Sequence, residues 1–207
     1  MTICLCLSAT TNAQSTTYSK QQDKQAKKEY KQKVKEYKRD GWTILGSSHT
    51  LEMSLLEHYE ALEEEGVFEL VGFATSRSKN IGSNQLRQRA AAAYAQESGS
   101  HLKERVIEEI SSNLDNDDLD EFEKFYAAYE TSLEREIQGE VRSSYSLLRE
   151  IKLNGKKTYE FQGIFLVNEE DASKARQTAL KRAIEETKLR HEWATLVSEF
   201  IDAPPTK

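Results

Sequence analysis

Proline is nearly absent from this chain, in which Pro204 and Pro205 are the only prolines among 207 residues. Proline interrupts helices because it lacks an amide hydrogen and its ring clashes with the preceding turn. No such interruption occurs before the last four residues, 204–207, which we interpret as a tail. With 31% charged and 37% apolar residues, the chain is expected to form long helices with polar outer faces around a modest core.

Cysteine is equally scarce, since Cys4 and Cys6 are the only two. They lie in a short apolar run that is followed by small residues up to Ala13, a pattern typical of the end of a secretory signal. We therefore predict a signal peptide over residues 1–13. No Lys or Arg precedes the run, which indicates a truncated signal or a start codon assigned too late. The run is too short to span a membrane, and a mature chain without it has no thiol.

Export predicts a periplasmic, outer-membrane-associated or secreted protein. Lipidation at Cys6 is disfavoured, because a lipidation site has Leu and then small residues before the cysteine, and here Ile3, Cys4 and Leu5 stand there.

Recognisable catalytic and cofactor motifs are also missing. The chain contains no Gly-x-Ser-x-Gly, no phosphate-binding glycine loop and no dinucleotide fingerprint. Its four histidines have no metal-binding spacing, and we interpret them as surface residues: His49, His58, His101 and His191. The sequence thus predicts no catalytic, cofactor-binding or metal-binding residue, no cofactor, and a protein that is not an enzyme.

Charge is unevenly distributed along the chain. Residues 20–40 carry nine basic and four acidic residues, a net +5, whereas the remainder carries 20 basic and 31 acidic residues, a net −11. We predict that residues 14–40 form a separable basic helical arm. Its charge suits an envelope protein, an anionic envelope surface or the acidic body of another copy. Nucleic acid is excluded as a partner, because the body is acidic.

Residues 41–203 are predicted to fold as a single α+β domain with a three-stranded, mostly antiparallel sheet packed by long helices. Apolar residues recur every three or four positions in some segments, and branched or aromatic residues concentrate in others. These patterns predict helices over residues 51–65, 84–114, 118–138 and 169–201, and strands over residues 67–75, 141–153 and 158–167. Residues 42–45 form a further short extended or packing segment.

The clearest local signals are one turn and one stripe. Asn154-Gly155 is the dipeptide that most strongly favours a tight β-hairpin. The cleanest helical stripe has core packing as its simplest explanation, although its aromatic members would also suit a ligand wall: Leu119, Phe122, Tyr126, Tyr129, Leu133 and Ile137. The acidic run over residues 115–121 could hold calcium, but it lacks the glycine and oxygen spacing of a calcium loop, and helix capping explains it better.

Three segments resemble a family of envelope proteins. They are Val71-Gly72-Phe73-Ala74, the helix from Gln88 to Ala95 with its run of four alanines, and the strand from Tyr159 to Phe165. Their order resembles the lipoprotein 20 family, which is related to the N-terminal domain of flagellar assembly protein T and to exported Bacteroidetes proteins. The resemblance implies an α+β fold and an envelope location over about residues 42–185, and it implies no activity. The chain departs from the family at the lipidated cysteine and in its basic arm.

Three functional hypotheses follow. The first is a non-enzymatic exported envelope protein that scaffolds or binds other envelope components, with a second copy of the chain as an alternative partner. The second is a small-ligand-binding module that uses a groove between the sheet and the alanine-rich helix. The third is an enzyme without a recognisable motif. A deep apolar pocket with polar groups at its base would favour the second, and a buried carboxylate or histidine pair there would favour the third.

Overall fold

A computed structural model describes residues 28–110 and 116–201 of the chain. The predicted signal peptide, residues 14–27 of the predicted arm, residues 111–115 and the C-terminal tail lie outside these residues. The chain divides into two compact units, Met1–Trp42 and Thr43–Lys207. In the first unit, helix α1 covers residues 28–39, within the predicted arm. It ends where the Trp42 amide donates to the Tyr37 carbonyl over 2.9 Å.

The second unit combines helices with one sheet, which confirms the α+β class. Its elements in chain order are β1 Thr43–Ile44, α2 Leu51–Leu62, β2 Val67–Ser76, α3 Lys79–Ile110, α4 Asn116–Glu140, β3 Arg142–Leu153, β4 Lys156–Asn168, α5 Glu169–Thr187 and α6 His191–Phe200.

The sheet has four antiparallel strands in the order β1-β3-β4-β2. The prediction of three strands is therefore wrong by one. The additional strand is the two-residue β1, whose Thr43 and Ile44 pair with Leu148 and Leu147. A strand this short shows no alternation that a sequence pattern could reveal.

The hairpin between β3 and β4 forms the centre of the sheet, and its turn is the predicted one. Asn154 and Gly155 have φ values of +51° and +72°. Two successive residues in the left-handed region are what a type I′ turn requires, and this turn matches the twist of the two strands.

One face of the sheet packs against α3, with α4 and α5 forming a second helical layer. The two glycines Gly72 and Gly163 pair directly across β2 and β4, and together they form a notch in this face. A Cβ at Gly72 would collide with the backbone carbonyl of Leu86, and one at Gly163 would press on the Leu86 side chain. Helix α3 can approach the sheet this closely because neither glycine has a side chain.

Helix α3 begins earlier than its sequence predicts. The predicted helix begins at residue 84, after a segment rich in serine, asparagine and glycine, which are weak helix formers. The helix instead starts at Lys79 and includes Gly82. The ring of Phe161 occupies the space that a Cβ at Gly82 would need, so this glycine serves packing and not a turn.

The aromatic stripe of α4 belongs to the main core, as its helical spacing predicts. Phe122, Tyr126 and Tyr129 are buried within it. The first member of the predicted stripe is wrong, since Leu119 is 45% exposed and Phe125 is fully buried. The acidic first turn explains the difference: Asp118 is buried and pairs with Arg190.

The predicted last helix, residues 169–201, is two helices. Lys188 adopts a left-handed conformation with φ of +55°, and its amide donates to the Ile184 carbonyl. Arg190 then attaches the connection between the two helices to α4, because its amide and Nε donate to Glu121 over 2.8 and 2.7 Å. A left-handed lysine carries no sequence signal, which is why the break was missed.

The opposite face of the sheet is covered in part by α2, which contacts β2 and β3. Thr50 caps this helix by accepting from the Met53 amide over 3.2 Å. The buried residues of α2 are Leu51, Ser54, Leu55 and His58. None of the described helices is both long and apolar enough to cross a membrane.

Candidate functional site

A cavity of about 780 Å³ opens beside β2, on the side of the sheet that faces α3. Its walls come from the first half of β2, the middle of α3, the start of α5 and the end of α6. Most of the lining surface is apolar, and the side chains that contribute to it include Phe68, Leu70, Leu102, Phe200 and Ile201. This size and this apolar character are typical of pockets that bind small organic molecules.

A buried guanidinium lies in the wall of this cavity. Arg176 is only 4% exposed, although it belongs to a helix whose neighbouring buried residues are alanine and leucine. Its Nη2 pairs with Glu169 Oε1 over 2.5 Å, and its Nη1 donates to the Tyr94 hydroxyl over 2.5 Å. Burying a charge is costly unless it is paired, and these two contacts supply most of the compensation.

The hydrogen bonding of this group is incomplete. Arg176 Nε is buried and has no hydrogen-bond partner among the described residues. Burial lowers the pKa of Arg176, but the hydrogen bonds and charges of Glu169 and Tyr94 outweigh it, and the net pKa is raised. The guanidinium therefore stays charged at every physiological pH.

Tyr94 contributes a hydroxyl that remains protonated. Burial raises its pKa, and the nearby positive charge of Arg176 offsets only part of that effect. Since the Tyr94 oxygen accepts from Arg176, its own hydrogen is left to donate to an acceptor. The ring of Phe68 lies 5.9 Å from the Tyr94 ring and extends the apolar wall beside this hydroxyl.

Further polar residues of α3 line the cavity, and two of them form hydrogen bonds to neighbouring elements. Ser98 Oγ lies 3.0 Å from the hydroxyl of Tyr129 in the core behind it. Arg105 Nη1 donates to the carbonyl of Phe200 over 3.0 Å, which attaches the end of α6 to α3. The lining thus contains both carboxylates and guanidiniums. Because their opposite charges compensate one another, an uncharged ligand suits the cavity.

The predicted surface interpretation of the histidines is wrong for one of the four. His49 and His191 are exposed and His101 is partly exposed on the cavity rim. His58 is only 3% exposed, lying on the α2 face between Ser144 and Glu69. A signal for this was present, because residues 51, 55, 58 and 62 follow helical spacing as well as the stripe through Tyr59.

Arg176 was also missed, and it too had a signal. Ala172, Arg176 and Leu180 are spaced by four residues, so an arginine stands within an apolar helical stripe. That pattern indicates either a buried ion pair or a ligand contact.

The structure bears on the two alternatives left open by the sequence, a ligand wall on α4 and a calcium site in the acidic run. The aromatic stripe of α4 packs in the core, and the cavity is lined by other residues. Among the residues that the structure describes, no three His, Cys, Asp or Glu side chains come together in a way that could hold a metal ion. Asp118 of the acidic run lies in the first turn of α4 and forms an ion pair with Arg190. This position agrees with the interpretation of the run as a helix start.

Comparison with known proteins adds no relative: no family model, no curated protein and no solved structure matches this chain.

Proposed function

We propose that this protein is a binding module for a small, mainly apolar organic molecule that carries a hydrogen-bond acceptor. The single observation that carries the proposal is the cavity beside β2 with the buried Arg176 in its wall. A buried, incompletely satisfied guanidinium is expensive to retain, and a scaffold protein has no need of it.

The ligand class follows from the lining. Apolar walls select an apolar body, and burying it supplies about 25 cal/mol for each Å² removed from water. The Tyr94 hydroxyl, which stays protonated, is placed to donate to a carbonyl, ether or hydroxyl oxygen. Because Arg176 is already paired with Glu169, an uncharged ligand disturbs the charge balance least.

This proposal ranks the binding hypothesis above the scaffold hypothesis. Export to the envelope, membership of the lipoprotein 20 family and a role for the basic arm in association stay predictions from the sequence. They are compatible with a binding module, since exported proteins often capture small molecules.

The test is binding of the neutral fluorophore N-phenyl-1-naphthylamine, whose emission rises in apolar surroundings. The variant His101→Trp places a large ring at the cavity rim on the face of α3 that lines it, and we expect it to weaken binding at least tenfold, or ~1.4 kcal/mol. Ser100→Trp is the matched control, because Ser100 is exposed on the same helix but does not line the cavity.

Equal affinity of the wild type and His101→Trp would place the fluorophore elsewhere and refute the cavity as the site. Failure of the wild type to bind any apolar probe would do the same. As an independent test, native mass spectrometry of the chain purified from its own source is expected to identify a co-purifying ligand that His101→Trp loses.

A further inference from the structure

Three side chains that are remote in sequence meet on the α2 face of the sheet. The imidazole of His58 lies between them, with Nδ1 3.1 Å from Ser144 Oγ and Nε2 3.0 Å from Glu69 Oε2. Serine, histidine and carboxylate are thus joined in a row by two hydrogen bonds. This connectivity is that of a nucleophile, its general base and the acid that orients the base.

The hydrogen-bond partners fix the roles of the two ring nitrogens. An ionised carboxylate can only accept, so Nε2 of His58 must carry the hydrogen that Glu69 receives. In the neutral imidazole Nδ1 then has a free lone pair and accepts the hydroxyl hydrogen of Ser144. The serine oxygen is consequently hydrogen-bonded to a base in the direction that proton removal requires.

The backbone directs Ser144 towards the histidine. The register of β3 against β4 shifts between Ser143 and Tyr145, so Ser144 is the extra residue of a β-bulge. Bulges turn a side chain away from its regular alternation and are frequent beside active sites. Without the bulge, the strand would place residues 143 and 145 on the α2 face and residue 144 on the other.

The three groups differ in exposure in a way that suits this chemistry. His58 is 3% exposed and is enclosed by the rings of Tyr145, at 5.3 Å, and Tyr59, at 5.6 Å. Ser144 is partly exposed, so a reagent can reach its hydroxyl from solvent. The base is held in place and shielded, while the nucleophile is accessible.

We propose that Ser144, His58 and Glu69 form an acyl-transfer site that hydrolyses small esters. Ser144 Oγ attacks the ester carbonyl carbon, and its proton passes to His58. The carbon–oxygen bond to the alcohol then breaks, and His58 returns the proton to that alcohol. Water attacks the acyl-Ser144 ester in the same way, releasing the acid and restoring the hydroxyl. Ser144 and His58 are catalytic residues, and Glu69 is a positioning residue.

This activity goes beyond ligand binding in the cavity and is independent of it. The cavity proposal rests on Arg176 and Tyr94, on the α3 side, and neither takes part here. Glu69 alone is common to both, since it also lines the cavity. The two proposals can therefore fail separately.

The first test is labelling of the full chain with a fluorophosphonate, followed by peptide-resolved mass spectrometry. The serine oxygen forms a bond to phosphorus, the phosphorus–fluorine bond breaks, and fluoride leaves. We expect one adduct, on Ser144, and none on Ser143 or Ser146, which are controls from the same strand. The absence of an adduct on Ser144, or equal labelling of all three serines, would overturn the proposal.

The second test is hydrolysis of p-nitrophenyl acetate. Ser144→Ala should abolish the protein-dependent rate, Ser146→Ala should leave it unchanged, and His58→Gln should lower kcat about 100-fold, the usual contribution of a general base. Glu69→Gln should lower kcat about tenfold with KM within twofold, which a merely structural residue would not do. Circular dichroism establishes that each variant is folded.

Wild-type hydrolysis that survives Ser144→Ala would show that another group is responsible and would overturn the proposal. If His58→Gln does not fold, the labelling of wild type against Ser144→Ala still decides the matter, because the removal of one partly exposed hydroxyl leaves the core intact.

Discussion

The two faces of the sheet are covered very differently. The α3 face carries Phe161, Phe165 and Val167, and all three are buried in one continuous core with the helices above them. The α2 face is covered only in part, and Phe73 of β2 is 62% exposed there. Yet the buried histidine with a partner on each ring nitrogen lies on this second face. The α3 face thus holds the larger part of the buried core, whereas the α2 face combines a smaller buried set, including Leu147 and Ile164, with the buried histidine.

The largest difference between the two faces is expected when an aromatic ring is removed from the core. Phe161→Ala should lower the free energy of unfolding by about 3–5 kcal/mol, because it leaves a cavity under α3. Its neighbour Gln162 points to the other face, and Gln162→Ala is expected to change it by about 0.5 kcal/mol. Urea unfolding monitored by tryptophan fluorescence measures both. Similar losses for the two variants would mean that the faces share the stabilisation.

The second prediction compares a glycine of the notch with a glycine outside it. Gly72→Ala should cost about 2–3 kcal/mol, because the new methyl meets a backbone carbonyl of α3 that cannot rotate away. Gly139→Ala is the matched control, since nothing lies within 4 Å of its added methyl. Near the end of α4, alanine should stabilise the helix by up to about 1 kcal/mol. Thermal unfolding should move the two variants in opposite directions, and a harmless Gly72→Ala would contradict the close approach.

The smallest expected effect concerns two tyrosines of α4. Tyr129→Phe removes a hydroxyl that is bonded to Ser98 at 3.0 Å and should cost about 1 kcal/mol. Tyr126→Phe removes a buried hydroxyl without a partner among the described residues, so it should be neutral or stabilising. Destabilisation by Tyr126→Phe as large as that by Tyr129→Phe would indicate a partner for Tyr126.

Tyr126 and Tyr129 also predict how the free energy of unfolding changes at high pH. Burial raises the pKa of both hydroxyls above the ordinary tyrosine value. The folded state therefore holds these protons more tightly than the unfolded state. The resulting stability is complete below about pH 10 and is lost as the pH rises further. Tyr129→Phe should reduce this alkaline loss, which urea unfolding at pH 8 and pH 11 would measure.

Much of the fold could be predicted because periodicity reports which face of an element is buried. The stripe through Phe122 and Leu133 and the Asn154-Gly155 turn are local patterns, and both predictions are confirmed. The two-residue β1 and the break at Lys188 could not be predicted in this way. Both depend on contacts between residues that are distant in sequence. The strand β1 pairs with β3, and Arg190, which follows the break, forms an ion pair with Asp118.

The candidate sites could be predicted much less well. Arg176 and Tyr94 are 82 positions apart, and His58 and Ser144 are 86 positions apart. No single-sequence pattern relates positions so distant. What the sequence offered was one polar residue within each apolar stripe, and such a residue indicates that a partner exists without identifying it.

The notch formed by Gly72 and Gly163 also bears on how this protein can diverge. Only two residues connect β2 to α3, and Leu86 must return to the notch. One inserted residue would rotate the helix by about 100° and replace Leu86 with a neighbour. Length changes should therefore be excluded from this connection and tolerated in the loop before α2. Relatives are expected to keep the spacing from Gly72 to Leu86 constant even where little sequence identity remains.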